Sequence, residues 1–151
     1  ARLGVNNVVV QIDIVDNSII TNSGGLERDA LAFQHLSGLY GAGMWVKCSY
    51  NTAAGVHGLG GTPLRANYPG GAYDEDDPWY YDGTNDIFHK GRPKDKDNQS
   101  CTSWTLNTTT GQWGAPLTRP QETREEILEG KCYVWDESAY QADNSKGWVL
   151  V

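Results

Sequence analysis

The second half of the chain repeats one short pattern three times, and this pattern limits the fold more than any other feature of the sequence. In each copy, a segment with large side chains runs into a turn led by Asp or Asn, and a second such segment follows. The turns begin at Asp82, Asn107 and Asp136. Asx and Gly residues favour tight turns, and large side chains pair across antiparallel strands. The pattern therefore predicts three antiparallel hairpins, which have to pack on one another or on a partner because a single hairpin is marginal in water.

The aromatic residues of these hairpins are the candidate core. The chain has 6 Trp and 8 Tyr but only 2 Phe, and hydrophobic residues make up 38% of it. Because aliphatic residues are scarce, we expect the rings to pack inside the hairpins and their indole N–H groups to donate to turn carbonyls. An open platform of Trp rings that stacks on sugars is the alternative. The positions concerned are Tyr81, Phe88, Trp104, Trp113, Trp135 and Trp148.

The N-terminal part begins with a predicted hairpin. Asn6 and Asn7 tolerate the left-handed backbone of a tight turn, and apolar residues lie on both sides of them. Alternation of apolar and polar residues predicts that the second strand runs to residue 15 with one face buried. After a turn, residues 19–20 are expected to form a further short strand.

One helix and one long loop complete the N-terminal part. Apolar residues at helical spacing predict a helix over residues 26–39, capped by Ser23. A strand is expected over residues 44–50. Residues 51–72 contain six glycines, which is too many for a helix and favours an ordered, glycine-dependent loop.

Together, these elements predict a small, mainly β fold of short antiparallel hairpins with aromatic packing, one short helix and long glycine-rich loops. Residues 1–78 form the region of the N-terminal hairpin, helix and loop. Residues 79–151 form the aromatic hairpins, and the two regions make one compact unit or two tightly linked subdomains. Residues 121–129 are expected to form a short exposed helical turn, and residues 90–100 a solvated charged loop.

Charge and hydropathy exclude several classes of partner. The net charge is −7 and the pI is about 4.8, so the surface repels phosphate backbones and nucleic acid is not an expected partner. No apolar run approaches the ~20 residues of a membrane span, and no secretory signal is recognised. A leading Ala is what removal of an initiator Met leaves, which predicts synthesis in a cytosol. There, Cys48, Cys101 and Cys132 are expected to be reduced, buried thiols, with a Cys101–Cys132 disulfide as the alternative.

The residues that commonly carry chemistry are scattered in this sequence. His35, His57 and His89 match no metal-ligand spacing, and neither a nucleophile elbow nor a phosphate-binding loop occurs. A triad of Cys48, His57 and a carboxylate has no local signature. The acidic run at 74–77 is expected to be a solvated turn, with Ca²⁺ binding as the alternative. We therefore predict a protein that is not an enzyme, with no catalytic, cofactor-binding or metal-binding residue, and rank a small thiol hydrolase last.

Several sequence segments, taken together, resemble a family of small proteins. They are NNVVVQIDIVDN, SYNTAAGVHGLGGTPLRANYPG, and SWTLNTTTGQWGAPLTRP with the later YVWDES. Proteins of this kind are encoded by marine tailed phages, especially cyanophages and their relatives, and are virion-associated or uncharacterised. The resemblance covers most of the chain; residues 25–40, 94–101, 121–131 and 138–146 depart from it. The family has no agreed catalytic residues, so none is assigned.

The resemblance implies a structural protein of a phage virion, made in the host cytoplasm and assembled into the particle. The first expectation is a capsid decoration or cement protein that binds across subunits of the major capsid protein. The alternatives are a tail or fibre accessory protein and a carbohydrate- or receptor-binding module. The expected partners are the major capsid protein or other virion proteins, with no nucleic acid, membrane or cofactor, and a homo-oligomer stays open.

Overall fold

The structure, a computed structural model, describes residues 1–70 and 73–151, and their contacts define two compact units. Unit 1 comprises Ala1–Gly91 and Thr108–Gly111, and unit 2 comprises Arg92–Asn107 and Gln112–Val151. The predicted boundary lies after residue 78, whereas the contacts group residues 79–91 with the N-terminal elements.

Short antiparallel strand pairs dominate both units. In unit 1 the strands are β1 (Arg2–Leu3), β2 (Val9–Gln11), β3 (Met44–Trp45), β4 (Thr52–Ala53), β5 (Val56–His57), β6 (Trp79–Asp82) and β7 (Ile87–Lys90), and the helices are α1 (Asn17–Ile20) and α2 (Asp29–Tyr40). In unit 2 the strands are β8 (Thr105–Asn107), β9 (Gln112–Gly114), β10 (Tyr133–Trp135) and β11 (Trp148–Leu150), and the helices are α3 (Arg124–Leu128) and α4 (Glu137–Ala142). The predicted mainly β fold is confirmed, and further short helices accompany the expected one.

The predicted N-terminal hairpin is confirmed. Strands β1 and β2 pair antiparallel, and β1 also pairs with β3, so that β1 is the centre of a three-stranded sheet. The connection is a 3-10 turn in which Asn6 and Asn7 have φ of 56° and 58°, the left-handed region that Asn tolerates. Leu3 and Val9 of this sheet pack with Phe88 in the hydrophobic core of unit 1.

The strand predicted to reach residue 15 ends at Gln11, and Ile14 is 85% exposed. Residues 19–20 belong to helix α1 and not to the expected strand. The physical reason is the Asp16 side chain, which accepts a hydrogen bond from the backbone N–H of Ser18 at 2.8 Å and caps the helix. Such a cap satisfies one of the free N–H groups in a first helical turn.

Helix α2 begins three residues later than predicted, and Ser23 does not cap it. The side chain of Asn22 accepts hydrogen bonds from the backbone N–H groups of Gly24 and Leu26, both at 3.0 Å. These bonds hold the preceding residues in a turn and delay the helix. The expected strand at 44–50 is likewise shorter, since only its first two residues form β3.

The predicted glycine-dependent loop at 51–72 is ordered over residues 51–70, while residues 71 and 72 lie outside the described part of the chain. Its first part is the β4–β5 hairpin, whose turn residues Ala54 and Gly55 have φ of 50° and 75°. The side chain of Asn67, which is buried, holds this hairpin in unit 1. It accepts from the N–H of Ala54 at 2.8 Å, and it donates to the carbonyls of Phe88 and Thr110 at 2.9 and 3.0 Å.

The short helical turn predicted at 121–129 is confirmed as α3 of unit 2. Thr123 and Glu126 form a reciprocal capping box, in which each side chain accepts from the backbone N–H of the other residue. Ile127 and Leu128 lie exposed on this helix.

Candidate functional site

The aromatic residues predicted to pair across hairpins do so in two of the three. Tyr81 of β6 is opposite Phe88 of β7, with ring centroids 5.2 Å apart, and Phe88 is fully buried. Trp135 of β10 is opposite Trp148 of β11, also at 5.2 Å and edge to face. In the β8–β9 hairpin, the residue opposite Trp113 is Leu106, so no aromatic pair forms there.

Three tryptophans of unit 2 form one cluster. The ring of Trp104 lies 5.9 Å from that of Trp135 and 6.1 Å from that of Trp148. Of these three rings, only that of Trp148 donates its indole N–H to a loop carbonyl as predicted, that of Leu117 at 3.0 Å. In the described part of the chain, the indole N–H of Trp104 is buried without an acceptor. The ring of Trp113 lies under the guanidinium of Arg92, whose carbon is 4.4 Å from the ring centroid.

The predicted turn residues have different roles. Asp82 forms an Asx turn, accepting from the N–H of Thr84 at 2.8 Å and of Asn85 at 3.2 Å. Asn107 ends β8, and the turn that follows it belongs to unit 1. Asp136 caps α4 by accepting from the N–H of Ala139 at 2.8 Å. The third connection is therefore a capped helix and not the predicted tight turn, since a side-chain cap favours helix over turn.

The buried carboxylate of Glu137 was missed by the sequence analysis. Its side chain accepts hydrogen bonds from the hydroxyls of Thr102 and Ser103, both at 2.7 Å, and from the backbone N–H of Ser103 at 2.9 Å. The indole N–H of Trp135 and the amide of Gln141 also donate to it, each at 2.9 Å. The sequence signal that could have pointed to Glu137 is its position between two segments with aromatic residues. A carboxylate that is buried in such a place needs several hydrogen-bond donors.

Hydrogen bonding governs the ionisation of Glu137. Burial pushes the pKa of its carboxyl upward, but the donors from Trp135, Gln141, Ser103 and Thr102 outweigh burial and lower the pKa to about 2. Such a carboxylate stays ionised and is a very weak base near neutral pH. Its geometry therefore supports a structural role in unit 2.

Asp95 extends this network into the charged loop at 90–100. It is 9% exposed, so the loop predicted to be solvated is partly buried. One carboxylate oxygen accepts from the N–H of Asp97 and of Gln99, both at 2.9 Å, and the other accepts from the N–H of Glu137 at 3.1 Å. Burial raises the pKa of the Asp95 carboxyl, and these backbone donors outweigh it and lower the pKa.

His57 and the acidic run take part in local contacts. The Nδ1 atom of His57 accepts from the backbone N–H of Leu59 at 3.2 Å and of Gly61 at 3.1 Å, and thereby closes its own loop. In the acidic run, Asp77 pairs with Lys90 at 2.8 Å. Within residues 1–70 and 73–151, no three His, Cys, Asp or Glu side chains are grouped so that they could hold a metal ion.

All three cysteines are free thiols, so the alternative disulfide does not form. Cys101 is buried as expected, and Cys48 is partly buried. Cys132 is exposed, which corrects the prediction of three buried thiols. It lies in the connection between α3 and β10, where the chain runs along the surface. Burial, with the negative charges of Glu137 and Asp95, raises the pKa of the Cys101 thiol to about 11.

These environments predict selective labelling of the cysteines. In the native chain at pH 7.5, iodoacetamide is expected to alkylate Cys132 first and to leave Cys101 unmodified, because only an accessible thiolate reacts. Peptide mass spectrometry after a time course measures each site, and labelling in 6 M guanidinium is the control in which all three thiols react. Alkylation of Cys101 as fast as Cys132 in the native chain would contradict this arrangement.

A groove on unit 1 forms a concave and largely apolar surface. Its volume is about 290 Å³, and it is lined by α2, by β3 with the residues that follow it, and by the segment 12–20. Phe33 and Leu36 of α2, Trp45 of β3 and Ile14 supply apolar surface. Phe33 is 40% exposed, so this surface is open to solvent.

Charged side chains also line the groove. They are Asp13, Glu27, Asp29 and Lys47. The ammonium of Lys47 lies 2.9 Å from the carboxylate of Glu27 and 3.7 Å from that of Asp29. Apolar surface with a few polar groups is typical of binding sites, and its volume is at the lower end of the ~300–1,000 Å³ of ligand pockets. The groove can therefore take a few apolar side chains of a partner.

Comparison of the chain with protein-family models, with curated proteins and with solved structures gave no match. None of the helices in residues 1–70 and 73–151 has the length and apolar character needed to cross a membrane.

Proposed function

We propose that this chain is a structural protein of a phage virion, and specifically a capsid decoration protein that binds across subunits of the major capsid protein. The observation that carries the proposal is the open apolar groove of unit 1, which is suited to contact with another protein. Further apolar side chains, such as Val5 and Leu59, are exposed on the same unit. The sequence resemblance to virion-associated phage proteins gives the class of partner.

A cement role requires contacts with neighbouring subunits and needs no reactive pocket. Exposed apolar side chains on short loops and turns supply such contacts, and a net charge of −7 favours a basic partner surface. The buried carboxylates of unit 2 are engaged in hydrogen bonds that rigidify a small domain, as a particle component needs. A tail or fibre accessory protein uses the same features at a lower copy number.

The number of copies per particle tests the virion assignment. Quantitative mass spectrometry of purified particles, with the major capsid protein as internal standard, is expected to give hundreds of copies for a capsid partner. About six to eighteen copies would identify a tail component, because tail rings have low cyclic symmetry. Absence from the particle would refute the virion assignment altogether.

Thermal release of the genome tests the cement role. Particles that lack this protein are expected to release DNA at a lower temperature, because a ligand that binds only the intact shell stabilises it. A DNA-binding dye followed through a temperature ramp measures the release. Adding the purified chain back should restore the original temperature, and an unchanged release temperature would contradict cementing.

A further inference from the structure

We infer that the groove of unit 1 binds an apolar peptide segment of a partner protein that also carries Lys or Arg. This inference rests on the proposed function only in taking that partner to be another virion protein.

The apolar lining defines the side chains that the partner inserts. Ile14 is 85% exposed and Phe33 is 40% exposed, although both line the groove. Burying large apolar side chains of this kind is the main favourable term in protein association. A volume of about 290 Å³ fits a few side chains of a segment and is small for a whole cofactor.

The charges in the groove predict the charge of the partner segment. Three carboxylates line it, those of Asp13, Glu27 and Asp29, and they outnumber the cationic groups there even when the Ala1 amine is counted with Lys47. The amine of Ala1 donates to the Val46 carbonyl at 2.8 Å. An anionic lining repels a fatty acid, a phosphate or an acidic peptide, and it attracts a basic one.

Asp13 is the carboxylate best placed to receive the cation of a partner. Glu27 and Asp29 already share the ammonium of Lys47. Asp13 accepts a hydrogen bond from a neutral group, the amide of Gln11 at 3.5 Å, and the positive charge of the Ala1 amine acts on it only through space. A Lys or Arg beside the inserted apolar side chains would therefore pair with Asp13.

Selection from a peptide library tests the inference on the full isolated chain. A bead-displayed library of random 12-residue peptides is panned against it, and the enriched sequences are read. We expect enrichment of peptides that combine large apolar residues with Lys or Arg. Enrichment of acidic peptides, or none over the input library, would overturn the inference.

Variants of the chain test whether the selected peptide binds in the groove. Binding of one resynthesised, fluorescein-labelled peptide is expected to weaken at least ~10-fold in Phe33→Asp and about threefold in Asp13→Asn. The matched control is Leu39→Asp, on the same helix, because Leu39 is 60% exposed and does not line the groove; its affinity should stay within about twofold. If Phe33→Asp fails to fold by circular dichroism, Ile14→Asp replaces it. Equal loss of binding in the groove variants and in Leu39→Asp would overturn the inference.

Further outcomes distinguish this inference from binding of a second copy of the chain and from the virion role. If the isolated chain is a dimer that Phe33→Asp converts to a monomer, the occupant is a second copy and the inference fails. Panning is done without particles, so the two proposals can fail separately. If the chain is abundant in particles but selects no basic peptide, the inference about the groove fails and the virion role is retained. A chain absent from particles that selects basic apolar peptides refutes the virion role and supports the chemistry of the groove.

Discussion

Replacing Glu137 with Gln is expected to destabilise unit 2 by about 3–5 kcal/mol, because several buried donors lose their acceptor at ~1–3 kcal/mol each. The carboxylate accepts from the hydroxyls of Thr102 and Ser103 and from the indole N–H of Trp135, and it is 5% exposed. Glutamine keeps the size of the side chain, but its NH₂ group would meet donors where an acceptor is needed, which leaves buried donors without partners. Tryptophan fluorescence during heating should show a fall in Tm on the order of 10–40 °C for a unit of this size.

The same carboxylate predicts how stability depends on pH. The pKa of Glu137 in the folded chain is lowered from 4.5 to about 2, so the folded state binds this proton less tightly than the unfolded state. Its contribution, roughly 3 kcal/mol, is fully present above about pH 4.5 and is lost as the pH falls toward 2. Urea unfolding at pH 7, 4 and 3 measures it. The difference in unfolding free energy between the wild type and Glu137→Gln should shrink over this interval.

Glu129→Gln is the matched control for both experiments. The Glu129 side chain in the same unit is 60% exposed and pairs with Lys131 at the surface, so its loss should change stability by less than about 0.5 kcal/mol. A Glu137→Gln variant that unfolds at the temperature of Glu129→Gln would show that the buried carboxylate is not needed to hold unit 2 together.

Sequence reasoning succeeded where the signal was local. The turns at Asn6 and Asp82 depend on what one side chain does to its own backbone, and the pairing of Tyr81 with Phe88 follows directly from such a turn. The short helix predicted at 121–129 is equally local, since the capping box that starts α3 joins two residues three positions apart. These features could be predicted because the chain within about ten residues determines them.

The features that escaped prediction depend on residues far apart in the chain. The donors to Glu137 include Thr102, 35 positions away, and no periodicity links two such positions. The groove is formed by helix α2, the segment 12–20 and residues after β3, which meet only in the folded unit. Ile14 fits the alternation of a buried strand face, but the cap at Asp16 ends the extended segment and leaves Ile14 exposed. Local patterns therefore predicted the hairpins but not the candidate site.

Replacing Gly111 with Ala is expected to loosen unit 1 by about 3 kcal/mol or more. Gly111 has φ of +64°, where a side chain costs ~1 kcal/mol. An added Cβ would also lie 2.3 Å from the Asn67 amide nitrogen and 2.6 Å from the Phe88 carbonyl oxygen. Both atoms belong to the buried hydrogen bond that holds the glycine-rich loop, so relieving the overlap breaks that bond, and overpacking of this kind costs ~1–3 kcal/mol.

Hydrogen exchange read by mass spectrometry locates this effect within unit 1. Peptides that cover residues 52–70 and 84–91 should lose protection in Gly111→Ala, because the N–H groups of Gly55 and Phe88 donate to Ala66 and Arg65 in the same network. Gly25→Ala is the matched control. Its φ is +77° and an added Cβ meets nothing within 4 Å, so it isolates the cost of the backbone conformation. Equal loss of protection in the two variants would mean that the contact of Gly111 with Asn67 contributes nothing to stability. We expect a larger loss in Gly111→Ala, and the difference measures how strongly the buried Asn67 amide stabilises the loop.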